Sequence, residues 1–272
     1  MSLPGKELEK GQAQLQRLCD NHFFRNTRAR DLPTFDASEI RVGPRLGVGG
    51  FGVVCEVQHI GVQDDGERGQ SAGTGGGGGG TSMEEDLHRD ADAIVIETDL
   101  DSLADLKATD EHDYHYNLNP TAARAFMAKH SIRDGDARFA IKRLKPDLSD
   151  KEKLAGAKDL AIEAKFLAVV SHPNIIKMRG TAATDSLRYD FFIILDRLYE
   201  TLDEKIDDWA EQEKQFVGCC GGMWGADKER LTSLQLERIT ALYDVSKAMA
   251  YLHENNIAYR DMKPENLGFD VR

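Results

Sequence analysis

A run of glycines ending at Gly80 leads straight into an acidic stretch, and together they divide this chain into two patterned halves. Between Glu84 and Asp113 stand twelve acidic residues against Arg89 and Lys107, a local net of −10 within a chain whose net charge is −12. Glycine loses the most backbone freedom on ordering, and like charges in sequence repel, so the segment reads as a linker running into a solvated loop. Any core must therefore be assembled from the flanks. Ile94, Val95, Ile96, Leu100, Leu103 and Leu106 interrupt the acids with an apolar spacing that could dock as a helix or strand. The competing reading is transient structure in a disordered loop.

The rest of the composition sets bounds. With 272 residues, 40% of them hydrophobic and 30% charged, the chain has room for a sizeable core. No apolar run approaches the roughly 18 residues of a membrane helix, and Phe191–Leu195 is among the longest. The N-terminus has no signal-peptide pattern, and Ser2 stands where myristoylation needs glycine. Cys19, Cys55, Cys219 and Cys220 form no paired framework, so a reduced, cytoplasmic or nuclear protein is expected. The surplus of acid argues against nucleic acid as a partner, and no membrane partner is expected. Cys219-Cys220-Gly-Gly lacks a second pair of ligands and reads as a loop.

Secondary-structure signals are firm on either side of the acidic stretch. Ile40–Leu46 and Phe51–Gln58 read as strands joined by a glycine-rich turn, and Arg138–Leu144 as a third. Ser149-Asp-Lys-Glu152 is a capping-box pattern opening a helix to about Val170, with Leu160, Ala164, Leu167 and Ala168 on one stripe. Pro173 ends it. Strands are expected near Ile175–Met178 and Phe191–Leu195, then a helix carrying Leu202, Ile206 and Trp209. A long helix follows from about Ser233 to Asn255, with Leu236, Ile239, Leu242, Val245, Met249 and Leu252 at helical spacing. Strands first and helices later indicate a small sheet-rich lobe followed by the start of a helical one.

Three constellations carry chemistry. In Gly47-Val48-Gly49-Gly50-Phe51-Gly52-Val53-Val54 the glycines allow backbone N–H groups to approach a polyphosphate. A dinucleotide fold would need a helix immediately afterwards. The β-branched residues that follow favour a strand instead, hence a glycine flap over ATP. In Ala140-Ile141-Lys142, a lysine within an apolar strand needs an opposite charge. Nucleotide phosphates and Glu163 on the capped helix are its natural partners; the other reading is an edge-strand surface lysine beside a solvated glutamate. The third is Tyr259-Arg260-Asp261-Met262-Lys263-Pro264-Glu265-Asn266, which matches the x-R-D-x-K-x-x-N catalytic loop. Its chemistry takes a carboxylate to accept a hydroxyl proton, a lysine to balance phosphoryl charge, and an amide oxygen for magnesium.

With all three in this order, the chain resembles the eukaryotic protein kinase family, from about Ile40 to Phe269. The resemblance implies an α+β, bilobal fold with a complete antiparallel small lobe and only the beginning of the helical large lobe. It implies an ATP-dependent protein serine/threonine kinase using Mg2+, the Lys263-Pro-Glu wording being that of the serine/threonine branch. Gly47, Gly49 and Gly52 would cover the phosphates, with Val48, Gly50 and Phe51 completing the loop. Val54 and Ala140 would line the adenine pocket. Lys142 would hold phosphates and pair with Glu163. Leu195 falls at the gatekeeper, and Asp196 and Leu198 at the hinge whose backbone would hold adenine. Asp261 would be the catalytic base, Lys263 the γ-phosphate contact, and Asn266 a magnesium ligand.

The resemblance also organises the chain. Residues 1–39 read as an N-terminal extension and 40–272 as a partial kinase domain. A glycine-rich acidic insertion, 59–137, falls between the second and third strands, and 84–113 is its possible protein-docking segment. Three departures stand out. Tyr259 replaces the usual histidine, and Gly268 stands where an apolar residue usually lies under the adenine. The family's Asp-Phe-Gly would fall about a dozen residues past Asn266, beyond Arg272, so the expectation is an incomplete chain of low activity. A nucleotide- or partner-binding module without catalysis is the alternative; a scaffold using the acidic insertion is a third reading.

Overall fold

A computed structural model describes residues 5–61, 119–217 and 227–270. In chain order the elements are α1 (Gly5–Cys19), α2 (His22–Asn26), β1 (Thr34–Phe35), β2 (Ile40–Val48) and β3 (Gly52–Ile60). Then come α3 (Pro120–Lys129), β4 (Ile132–Arg133), β5 (Asp136–Ala137), β6 (Phe139–Leu144) and α4 (Asp150–Val169). The remainder are β7 (Met178–Ala182), β8 (Phe192–Asp196), β9 (Glu200–Thr201), α5 (Leu202–Val217), α6 (Lys228–Glu254) and β10 (Gly268–Phe269). The glycine tract, the acidic 84–113 segment with its apolar patch, and Cys219-Cys220 all lie outside the described residues.

Six strands form one sheet in the order β1-β7-β8-β6-β3-β2, antiparallel except for the β1–β7 pair. Strand β8 is buried throughout, and Ile193 and Ile194 are inaccessible to solvent. Helix α4 lies on this sheet through Leu160 and Ala164, which join Phe139, Ile141, Met178 and Ile193 in the core. Its start is the capping box read from sequence: Glu152 N–H donates to Ser149 Oγ, and Ser149 N–H donates to Glu152 Oε2 at 2.9 Å. Those bonds from Ser149 hold the Glu152 carboxyl below its ordinary range.

The structure shifts several expected boundaries. The strand expected at Ile175–Met178 runs instead over Met178–Ala182. After Pro173 a turn, in which Ile175 N–H donates to His172 O at 3.2 Å, delays the extended segment. Gly180 inside β7 is required by packing, since a Cβ there would stand 2.8 Å from Phe35 Cε2. Phe35 belongs to the residues placed ahead of the fold, yet it is wholly buried and its strand extends the sheet.

The span from 59 to 137 also contributes ordered structure at both ends. Strand β3 continues to Ile60, which is buried. The Asn119 side chain caps α3 by accepting from Ala122 N–H at 2.8 Å, Pro120 opens that helix, and Met127 reaches the core. An Asp134-Gly135 turn with both φ angles positive then joins β4 to β5.

Beyond β8 the chain pairs β9 with β10 and packs α5 through the buried Trp209, which meets Phe269 edge-on. Helix α6 ends in a Schellman turn: Ile257 N–H donates to Leu252 O, Asn256 N–H to His253 O, and Asn256 adopts φ 58°. Leu236, Ile239 and Leu242, which stand at helical spacing on α6, are each more than 60% exposed, whereas Leu234 is buried. Among the described residues, no helix is long and apolar enough to cross a membrane.

Candidate active site

Register across three strands assembles the first half of the site. Gly47 pairs with Val54 and Val54 with Lys142, so the glycine loop, the half-buried Val54 and the lysine form one cross-strand row. Ala140 lies two residues back along β6, buried, opposite Leu195 of β8. Gly49 N–H donates to Gly52 O at 2.9 Å and closes the turn. A Cβ added at Gly47 or Gly50 would meet nothing within 4 Å, so the loop leaves open space there.

Lys142 and Glu163 meet. The ammonium reaches both carboxylate oxygens at 2.6 Å, and both side chains are about a third exposed. The pairing depends on α4: the capping box starts the helix, and the Leu160–Ala164 stripe seats it with Glu163 beside β6.

The second half follows the Schellman turn of α6. Asn266 Nδ2 donates to Asp261 Oδ2 at 2.7 Å and to the Asp261 carbonyl at 2.9 Å. Lys263 Nζ lies 3.6 Å from Asp261 Oδ1. The Asp261 side chain is 71% exposed and open to an incoming group. Burial raises the Tyr259 phenol, and the carboxylates of Asp261 and Glu163 push it further, so it stays protonated between the two halves.

At the hinge, Asp196 is buried and its carboxylate is taken by Arg179. Its backbone N–H donates to Lys177 O at 3.0 Å, just ahead of β7. Leu198 is half-buried and lies against Gly268, where a Cβ would stand 3.0 Å from Leu198 Cδ1 and 2.9 Å from Glu200 O. The glycine at this departure from the family pattern thus lets β10 lie against β9.

Several residues of the site were not singled out from sequence. Lys145 Nζ donates to Gly50 O at 2.9 Å and its backbone N–H to Phe51 O at 3.0 Å, fastening the glycine loop to the end of β6. Gly156 of α4 makes room for the loop's Phe51, since a Cβ at Gly156 would lie 2.7 Å from Phe51 Cβ. Arg197 joins the hinge to β3 through Glu56 at 2.8 Å. None of these carries a motif; only a lysine soon after Lys142 and a glycine in a helix hinted at them.

Residues 122–271 match the protein kinase domain family. This chain belongs to the protein kinase family. Its fold is the bilobal α+β kinase fold, with the six-stranded sheet and α4 in the small lobe and α5–α6 opening the large one. Over 139 residues it is 29% identical to inhibitor of nuclear factor kappa-B kinase subunit beta of Bos taurus, covering 51% of this chain and 16% of that protein. It is 30% identical over 128 residues to a probable serine/threonine-protein kinase, gdt2, of Dictyostelium discoideum, covering 47% and 6%. Glycogen synthase kinase 1 of Pyricularia oryzae is 28% identical over 145 residues, covering 53% and 30%. The chain thus spans less than a third of each of these relatives.

Proposed function

We propose that this protein kinase binds ATP with Mg2+ and transfers the γ-phosphoryl group to a serine or threonine hydroxyl of a protein. The single observation that carries this reading is the double contact of Lys142 with Glu163 at 2.6 Å, on the same row as the glycine loop. A lysine so held presents its charge at a fixed point, which is what phosphate binding takes.

The residues fit a nucleotide. The open loop at Gly47 and Gly50 leaves room for phosphates, while Val54, Ala140 and Leu198 offer apolar walls. The Asp196 N–H is taken by Lys177 O, so its carbonyl would be the group that meets adenine. Asp261, exposed and oriented by Asn266, would accept the hydroxyl proton, with Lys263 beside it for the transferred phosphoryl. For magnesium, the Asn266 amide donates to Asp261 and keeps its oxygen as a ligand atom. Among the described residues no group of three His, Cys, Asp or Glu side chains could hold a metal, so nucleotide phosphates would complete the shell. When bound, the ion would neutralise phosphate charge.

The test is ATP titration of the full chain with and without Mg2+, alongside transfer from radiolabelled ATP to a serine/threonine peptide mixture. Binding and transfer, both lost in Lys142→Met, support the proposal. Magnesium-dependent binding without transfer would favour the non-catalytic nucleotide-binding reading, and absence of binding would overturn both.

A further inference from the structure

Helix α4 presents Glu163 to Lys142, and the opposite side of that helix is covered by the first residues of the chain. At about 100° per residue, Leu154, Lys158 and Ala161 stand roughly 160–220° around the helix from Glu163. Helix α1 lies on that back. Leu8 and Leu15 pack with Leu154 around the buried Ala161 and Leu187. Gly11 is buried and approaches so closely that a Cβ there would stand 3.1 Å from Leu187 Cδ1 and 3.6 Å from Lys158 Cε.

The contact continues to the end of the helix. Phe24 meets Phe166 edge-on with centroids 5.0 Å apart. Arg30 donates its backbone N–H to Ala168 O at 2.9 Å, and its guanidinium bonds the carbonyls of Leu167 and Ala168. Those are last-turn carbonyls that a helix cannot satisfy internally. Helix α4 has no basic residue in its own last turn, so Arg30 supplies the cation favoured at that end. Toward the sheet, α4 buries mostly alanine beside Leu160, which gives it modest apolar anchorage of its own.

We propose that Gly5–Arg30 is a built-in clamp on α4 that holds Glu163 against Lys142, with Leu8, Leu15 and Arg30 as positioning residues. For its consequence on nucleotide affinity the proposal rests on the reading of Lys142 as a phosphate ligand; the positioning itself does not.

The experiment compares wild type with Leu8→Asp/Leu15→Asp in the full chain. The first readout is zero-length carbodiimide coupling of Lys142 to Glu163, quantified by mass spectrometry. The Lys205–Glu237 pair of the large lobe, 3.3 Å apart, is the internal control. The expected result is a Lys142–Glu163 yield lower by about fivefold or more with the control unchanged. An unchanged Lys142–Glu163 yield, or equal loss in both pairs, overturns the clamp. The second readout is ATP affinity, expected to weaken about fivefold in the wild-type background and less than about twofold when Glu163→Gln is already present. Equal weakening in both backgrounds also overturns it. If wild type binds no ATP, the nucleotide reading falls and the coupling yield alone decides the clamp. Arg30→Gln, which keeps the apolar contacts, takes the place of the double variant if that one does not fold.

Discussion

Arg179 forks onto Asp196 across the β7–β8 pair, Nε to Oδ1 at 2.7 Å and Nη2 to Oδ2 at 2.8 Å, with both side chains buried. The bidentate contact fixes the residue at which β8 becomes the hinge. Asp196→Ala would leave a buried guanidinium facing a lost charge and should destabilise the fold by about 3–5 kcal/mol. Replacing both partners with apolar residues, as in Arg179→Met/Asp196→Leu, should recover most of that loss. Urea unfolding of the two variants checks it: equal destabilisation would show that the pair itself, and not the removal of one partner, carries the effect.

Lys142→Met separates function from stability. The Lys142–Glu163 pair is about one-third exposed, and pairs in such positions contribute about 0–1 kcal/mol to folding. On the proposed role of Lys142, the same substitution would remove a charge-assisted contact to phosphate, and ATP affinity should fall at least about tenfold. The urea midpoint should hardly move while the binding isotherm does. A large midpoint shift would make Lys142 a structural residue.

Much of this was legible in the sequence because it is local. The Ser149–Glu152 box, the glycine turn and the Asp261–Asn266 spacing each express contacts within a few residues, and each forms where its pattern stands. The Asp134-Gly135 turn carries an equally local signal. What stayed hidden is long-range. Nothing near Arg30 tells that it caps a helix end 138 residues away, nor does anything near Arg179 point to Asp196. Periodicity placed Leu236, Ile239 and Leu242 on one stripe of α6, but a stripe states only that a face is apolar, not what covers it.

Gly156→Ala sets two effects against each other. Alanine in a helix interior is favoured over glycine by about 1 kcal/mol. Its Cβ, however, would lie 2.7 Å from Phe51 Cβ and 2.8 Å from Leu144 Cδ2, and such overpacking costs about 1–3 kcal/mol. The second effect should win, lowering the melting temperature and displacing Phe51 with the glycine loop. A more stable Gly156→Ala protein would mean that the loop yields without cost.

Gly268→Ala should likewise destabilise, since the new methyl would stand 2.9 Å from the Glu200 carbonyl and a backbone oxygen cannot rotate away. The loss should be about 1–3 kcal/mol, read from thermal unfolding. Leucine at this position, nearer the family pattern, should be worse still, so it should not tighten ATP binding.

His172 makes the fold sensitive to mild acid. Burial lowers its pKa, the Lys247 charge lowers it further, and Asp244 opposes both. Its Nδ1 accepts from Asn174 N–H at 3.1 Å, and its ring lies tilted on Tyr251, whose hydroxyl accepts from Ser171 N–H at 3.1 Å. Protonating Nδ1 would end the Asn174 bond. The folded pKa therefore lies below the ordinary value of about 6.5, which the unfolded chain keeps. As pH falls through that value the unfolded state takes up its proton first, so the stability from neutral His172 is complete above it and is lost toward the folded pKa. Urea midpoints should begin to drop as pH falls below about 6.5, before the ordinary carboxylate range is reached. His172→Gln should be less stable at neutral pH and should flatten that slope; an unaltered slope would assign the acid sensitivity to another group.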